Sequence, residues 1–199
     1  MANFYAVRKG KVPGIYSTWA ECKQNVLGFP GAEYKGFDKK EDAEAFLNSE
    51  VLNNDEIDLS EIGAYAFVDG SFNQKTNTYG YGGFLINGDE KHILKGSGND
   101  ESLVTMRNIT GEILGSQAAV EKAIELGLDN ITIFYDYMGI EMWAKGLWDR
   151  NNSGTQAYYK FMQDKKDIIN IHFVKVKGHT GIEGNEEADK LAKEAVGIE

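Results

Sequence analysis

The sequence predicts an α/β fold: a mixed five-stranded sheet flanked by helices, preceded by a small α+β module. Three observations predict it. Hairpin-linked strands fill residues 64–96. Strands and helices then alternate to the end of the chain, as in sheets with helices on their faces. The first 48 residues carry their own short strand-and-helix pattern, set off from the rest by an acidic stretch.

Residues 1–48 form the first unit. "FYAVRKG" alternates and reads as a strand, and "KVPGIY" as a turn leading into a short second strand. Thr18 to Glu21 ("TWAE") has the spacing of a capping box and opens a helix through about Leu27. "AEYKGF" is a further strand, and Asp38 caps the helix of "EDAEAFL". So short a unit has a marginal core, which suits a binding module better than an enzyme. Residues 49–61 hold five acids and no base and read as a solvated linker. Residues 62–199 then read as strands 64–69, 80–87 and 90–96, a helix near 110–126 and a strand at 131–135. Helices near 138–148 and 154–167, a strand at 170–176 and a helix near 185–196 complete the chain.

Composition narrows the function. No apolar run approaches the roughly 20 residues a membrane helix needs. Cys22 is the single cysteine, so no internal disulfide forms, and a reducing, cytoplasmic setting is expected. The net charge of −10 argues by itself against a polyanionic partner. It is uneven, however: residues 1–48 sum to +1 and residues 62–199 to −6.

Four acids fall in suggestive places. Asp69 and Asp136 each close an apolar strand, "AYAFVD" and "ITIFYD". In α/β sheets such ends line the ligand crevice. Glu112 stands early in an amphipathic helix and Asp189 in the early turns of the last one. Each has an ordinary explanation. Asp69 with Gly70 is a turn signal, and Asp136 can cap the helix after it. Glu112 suits a helix dipole, and Asp189 suits a solvated charge run. Taken together, two strand ends and two helix starts can converge at one sheet edge. Clustered carboxylates repel unless cations neutralise them. An all-oxygen donor set favours Mg²⁺ or Mn²⁺ over zinc, and four acids suffice for two ions acting on a phosphodiester.

The segments "VDGSFN", "TGEILGSQAAV", "FYDYMGI" and "KVKGHTGIEGNEEADKLA" resemble, in order, the motifs of type 1 ribonuclease H, over residues 62–199. The first 48 residues resemble the hybrid-binding, viroplasmin-type domain found in front of many such enzymes. The resemblance implies a ribonuclease H-like fold and an endonuclease that cuts the RNA strand of RNA/DNA hybrids. It leaves a 3′-hydroxyl and a 5′-phosphate and uses two Mg²⁺, with Mn²⁺ as a substitute. Asp69, Glu112, Asp136 and Asp189 match the metal-binding acids, and Glu112 can also accept a bond from a 2′-hydroxyl. His179, in "KGHTG", matches the loop histidine linked to proton transfer or product departure; the His pKa near neutrality suits that. Asn73 and Asn108 match positions that touch the hybrid, as Tyr5, Trp19, Tyr34 and Lys35 do in the first unit. His92 and His172 read as structural, and Trp143 and Trp148 as core residues.

A monomer without a membrane partner is further expected, and double-stranded RNA as a second ligand of the first unit. Two departures stand out. Tyr137 follows Asp136 where many relatives carry Ser, and Gly36 follows Lys35 where relatives often have a second Lys. Two rivals remain: another nuclease or resolvase of the same fold, and a non-catalytic duplex binder.

Overall fold

In the computed structural model, β1 (Phe4–Lys9) is the centre of a three-stranded antiparallel sheet, between β2 (Gly14–Tyr16) and β3 (Glu33–Phe37). The structure describes residues 2–48, 51–52, 59–176 and 183–198. The chain divides into two units between Glu50 and Val51. In the first, the capping box is formed: the Glu21 amide donates to the Thr18 hydroxyl, and the Thr18 amide to the Glu21 carboxylate. That fixes the start of α1 (Trp19–Val26). Successive residues of a strand face opposite sides. Val7 accordingly meets Cys22 and Val26 of α1, while its neighbour Arg8 lies over the ring of Phe46 in α2 (Lys40–Asn48).

The second unit holds an antiparallel meander, β5 (Tyr65–Asn73), β6 (Thr78–Asn87) and β7 (Glu90–Gly98). On the other side of β5 lie β8 (Asn130–Tyr135) and then β9 (Asn170–Val176), both parallel to it. These are the five expected strands. A sixth, β4 (Val51–Leu52), pairs with the far edge of β9. It lies within the stretch expected to be solvated linker; the acids there dominate the composition, but two apolar residues find an open parallel edge.

A short α3 (Glu101–Val104) precedes α4 (Asn108–Glu125). With α5 (Gly139–Ala144) and α6 (Ser153–Lys165), α4 covers the face of the sheet that carries Ala66, Val68, Ile131 and Ile133. α7 (Glu183–Ala195) covers the other face, over Phe67, Phe84 and Phe134. No helix among the described residues is long and apolar enough to cross a membrane.

β5 does not stop at Asp69, as the Asp-Gly signal suggests. It pairs with β6 through Asn73, and Asp69 stands opposite Gly82. The glycine after Asp69 is there for a different reason. A Cβ on Gly70 would lie 2.1 Å from the Asn108 carbonyl and 2.5 Å from the Glu112 amide. Gly70 is the contact through which the first turns of α4 reach the strand. Gly82 does the same on the opposite face, where a Cβ would sit 2.0 Å from the Ala192 amide of α7. Helices therefore press directly on both sides of the strand pair that bears Asp69.

Candidate active site

The site begins where β5 and β8 separate. Their last paired residues are Phe67 and Phe134, whose rings stack at 4.5 Å and 11°. Two residues beyond that pair come Asp69 and Asp136. The parallel register thus delivers both acids at matching steps, Asp69 within β5 and Asp136 just past the end of β8. This is also the point where strand order reverses, the usual place for a ligand crevice in an α/β sheet.

α4 delivers the third acid through its close approach at Gly70. One carboxylate oxygen from each of Asp69, Glu112 and Asp136 lies within 4.8 Å of the others. The ordinary explanations for these acids fail. Asp69 is within a strand, not a turn. Glu112 is 3% exposed and lies beyond the first turn of α4. α5 is capped at Met138, without a side-chain bond, so Asp136 is not its cap.

Asp189 is outside that group of three. Its Oδ2 accepts from Lys193 Nζ at 2.6 Å, one turn along α7. Its charge is nonetheless felt at Asp69.

The electrostatics are those of an anionic cluster without enough positive charge. Burial, and then the Asp136 carboxylate, push Asp69 up to about 7. The Gly70 amide, 2.7 Å from Asp69 Oδ1, and the Lys193 ammonium oppose this, while Asp189 adds to it. Glu112 is raised well above the usual carboxylate range by burial and by Asp136 and Asp69. Glu112 Oε2 is buried without a hydrogen-bond partner. An oxygen-ligated divalent cation fits such a donor set: it neutralises the repulsion and satisfies the orphaned oxygen.

The remaining expected residues divide. Asn108 heads α4 one turn before Glu112, on the same side of the helix, and is exposed. Asn73 is held by backbone groups. Its Nδ2 donates to the Val196 carbonyl at 2.9 Å, and its Oδ1 accepts from the Lys75 and Thr76 amides. Its amide closes the β5–β6 turn and ties that turn to the end of α7. His179 lies outside the described residues. His92 and His172 sit in β7 and β9, away from the acids.

In the first unit, Tyr5, Trp19 and Tyr34 form a continuous row, with ring centroids 5.7 and 5.6 Å apart. Trp19 and Tyr34 are 43% and 45% exposed, so neither is a core residue. Lys35 does not join them. It pairs with Ala6, whereas Tyr34 pairs with Val7, so alternation sends its side chain to the opposite sheet face. Its amine is desolvated there and pushed down to about 8.

Sequence reasoning missed Glu141. It is 5% exposed, accepts from the Tyr135 hydroxyl at 2.6 Å and pairs with Lys145. Its visible signal, a Glu four residues before a Lys on a helix, is that of an ordinary surface pair. Trp143 and Trp148, expected in the core, pack on each other and on Tyr137 and are only partly buried.

Residues 3–47 match the family described as the ribonuclease H1 N-terminal domain, and residues 63–197 match the RNase H family. The chain is similar to human (Homo sapiens) ribonuclease H1, 27% identical over 254 residues covering 96% of this chain and 88% of the relative. It is similar to mouse (Mus musculus) ribonuclease H1 at 23%, covering 98% and 89%. Its fold is similar to that of RNase H1 from Halobacterium salinarum (TM-score 0.53, 24% identical, 67% of this chain and 97% of that one). It is also similar to that of LC11-RNase H1, solved in complex with an RNA/DNA hybrid (TM-score 0.54, 18% identical, covering 67% and 96%).

Proposed function

Because the chain belongs to the ribonuclease H family, we propose that Asp69, Glu112, Asp136 and Asp189 hold two divalent cations at the phosphate to be cut. The protein is an endonuclease that hydrolyses the RNA strand of RNA/DNA hybrids, leaving 3′-hydroxyl and 5′-phosphate ends. One observation carries the site: carboxylates from within β5, from just past the end of β8 and from α4 converge within 4.8 Å, and the buried Oε2 of Glu112 has no hydrogen-bond partner.

When bound, the cations supply an activated water and charge neutralisation at the leaving oxygen. Asp69 and Asp136 would hold the cations, with Asp189 completing one site and Glu112 the other. Mg²⁺ is the natural ion and Mn²⁺ its substitute, since every donor is a carboxylate oxygen. Asn108 is poised one helical turn from Glu112 to hydrogen-bond the hybrid, and Glu112 is placed to accept from a ribose 2′-hydroxyl. Recognition of that hydroxyl distinguishes RNA from DNA. His179 keeps the role in proton transfer or product departure that its loop motif implies. A monomer in the cytoplasm belongs to the same proposal.

Labelled RNA/DNA hybrid, double-stranded RNA and double-stranded DNA, incubated with Mg²⁺ or with EDTA, test this. We expect internal cuts in RNA opposite DNA, in Mg²⁺ alone. Trimming from ends, or cutting that persists in EDTA, overturns the reading.

The aromatic row of the first unit is proposed to grip the hybrid, with double-stranded RNA as a second ligand. A domain at −6 gains little affinity from phosphates, which bind through Lys and Arg. A tethered second grip compensates through effective concentration. Replacing the exposed Trp19 by Ala should weaken hybrid binding by about 1–3 kcal/mol, the usual range for a stacking aromatic. Fluorescence anisotropy on a cleavage-dead background measures this, and an unchanged Kd rejects the row as the grip.

A further inference from the structure

Asp136 stands in a three-residue link between β8, which ends at Tyr135, and α5, which begins at Gly139. Both of its neighbours are tied by their side chains to α5 or to the segment that follows it. On one side, the Tyr135 side chain is fully buried, and its hydroxyl donates to Glu141 Oε2 at 2.6 Å. The other oxygen of Glu141 is paired with Lys145. On the other side, the Tyr137 ring packs against Trp143 at 5.7 Å and Trp148 at 6.4 Å. Gly139 makes that packing possible: a Cβ there would lie 2.4 Å from the Tyr137 ring and 2.7 Å from the Trp143 ring.

We infer that α5 braces Asp136, with Tyr135 and Tyr137 acting as positioning residues that hold its carboxylate in the acidic cluster. The physical need is plain. Three carboxylates within 4.8 Å repel one another, and a ligand on a short link would swing away. Anchors on both flanking residues fix the backbone at Asp136 before a cation arrives. Such outer support is worth about 10–100-fold in metal affinity where it has been removed. Tyr137 is therefore a component of the site through its ring, and the phenol oxygen is secondary. The inference rests on the metal-binding reading above.

The test is Mn²⁺ binding to the full chain without nucleic acid, by isothermal titration calorimetry, with thermal unfolding in EDTA to verify each fold. Tyr137→Ser, which removes the ring, should bind Mn²⁺ about tenfold more weakly. Tyr137→Phe, which keeps the ring, should bind as the wild type does. Tyr135→Phe removes one buried oxygen and should weaken binding several-fold, within the same range. A folded Tyr137→Ser and Tyr135→Phe that both bind Mn²⁺ with wild-type affinity overturn the brace. If Tyr137→Ser does not fold, Tyr135→Phe decides alone, and unchanged binding by it overturns the brace equally. The site itself fails separately: wild-type affinity in Asp136→Asn would remove the metal reading, whereas its loss there with no change in the tyrosine variants removes only the brace.

Discussion

Asp136→Asn is expected to lower hydrolysis of an RNA/DNA hybrid by about 10³-fold or more while leaving hybrid binding largely intact. The replacement is nearly isosteric, so packing around the β8 exit is preserved. A neutral amide, however, brings no negative charge to a cation. Metal ions contribute several kcal/mol to stabilising charge in such reactions, and about 4 kcal/mol corresponds to three powers of ten in rate. Binding persists because the aromatic row that is proposed to grip the hybrid is in the first unit. Single-turnover cleavage and anisotropy with one hybrid measure the two quantities together. Activity near the wild-type level would show that Asp136 is not a metal ligand.

The second large effect concerns stability, and its sign follows from the raised acids. Asp69 moves from 3.8 to about 7, and Glu112 also moves upward. In the unfolded chain both ionise near pH 4. Between there and their folded values, the metal-free native state binds more protons than the unfolded state does. Stability must then fall as pH rises. Their contribution is fully present below about pH 4 and is lost as pH climbs through 7 and beyond. For Asp69 the change is of the order of 4 kcal/mol.

Divalent cations reverse this by making the ionised forms favourable, so Mg²⁺ should stabilise more at pH 8 than at pH 5. Urea unfolding in EDTA and in Mg²⁺ at the two pH values checks it. Asp136→Asn should flatten the EDTA profile, because Asp136 contributes to raising both acids. Equal stabilisation by Mg²⁺ at pH 5 and pH 8 would contradict the assignment.

Much of this was readable from residue order. The meander, the later β/α alternation and the capping box at Thr18 follow from local patterns, and the structure realises each. Asp69 shows where local reading fails. Asp-Gly is a strong turn signal, but the backbone of α4 occupies the space a side chain at residue 70 would need. Val51 and Leu52 show a second kind of failure, since an open sheet edge recruits a pair of residues that no period marks. Lys35 shows a third. Neighbours in sequence stand on opposite faces of a strand, so "YK" sends its two side chains to different sides of the sheet.

Sequence alone determined which residues are candidates for the chemistry and which elements bear them, because hydrophobic period and capping are local properties. Tertiary structure alone decided that the acids meet. The register of β5 against β8 carries Asp69 and Asp136 to matching steps, and two glycines let helices close on β5 and β6 from both sides. Register and helix approach depend on contacts between residues far apart in the chain, and no window along it contains them.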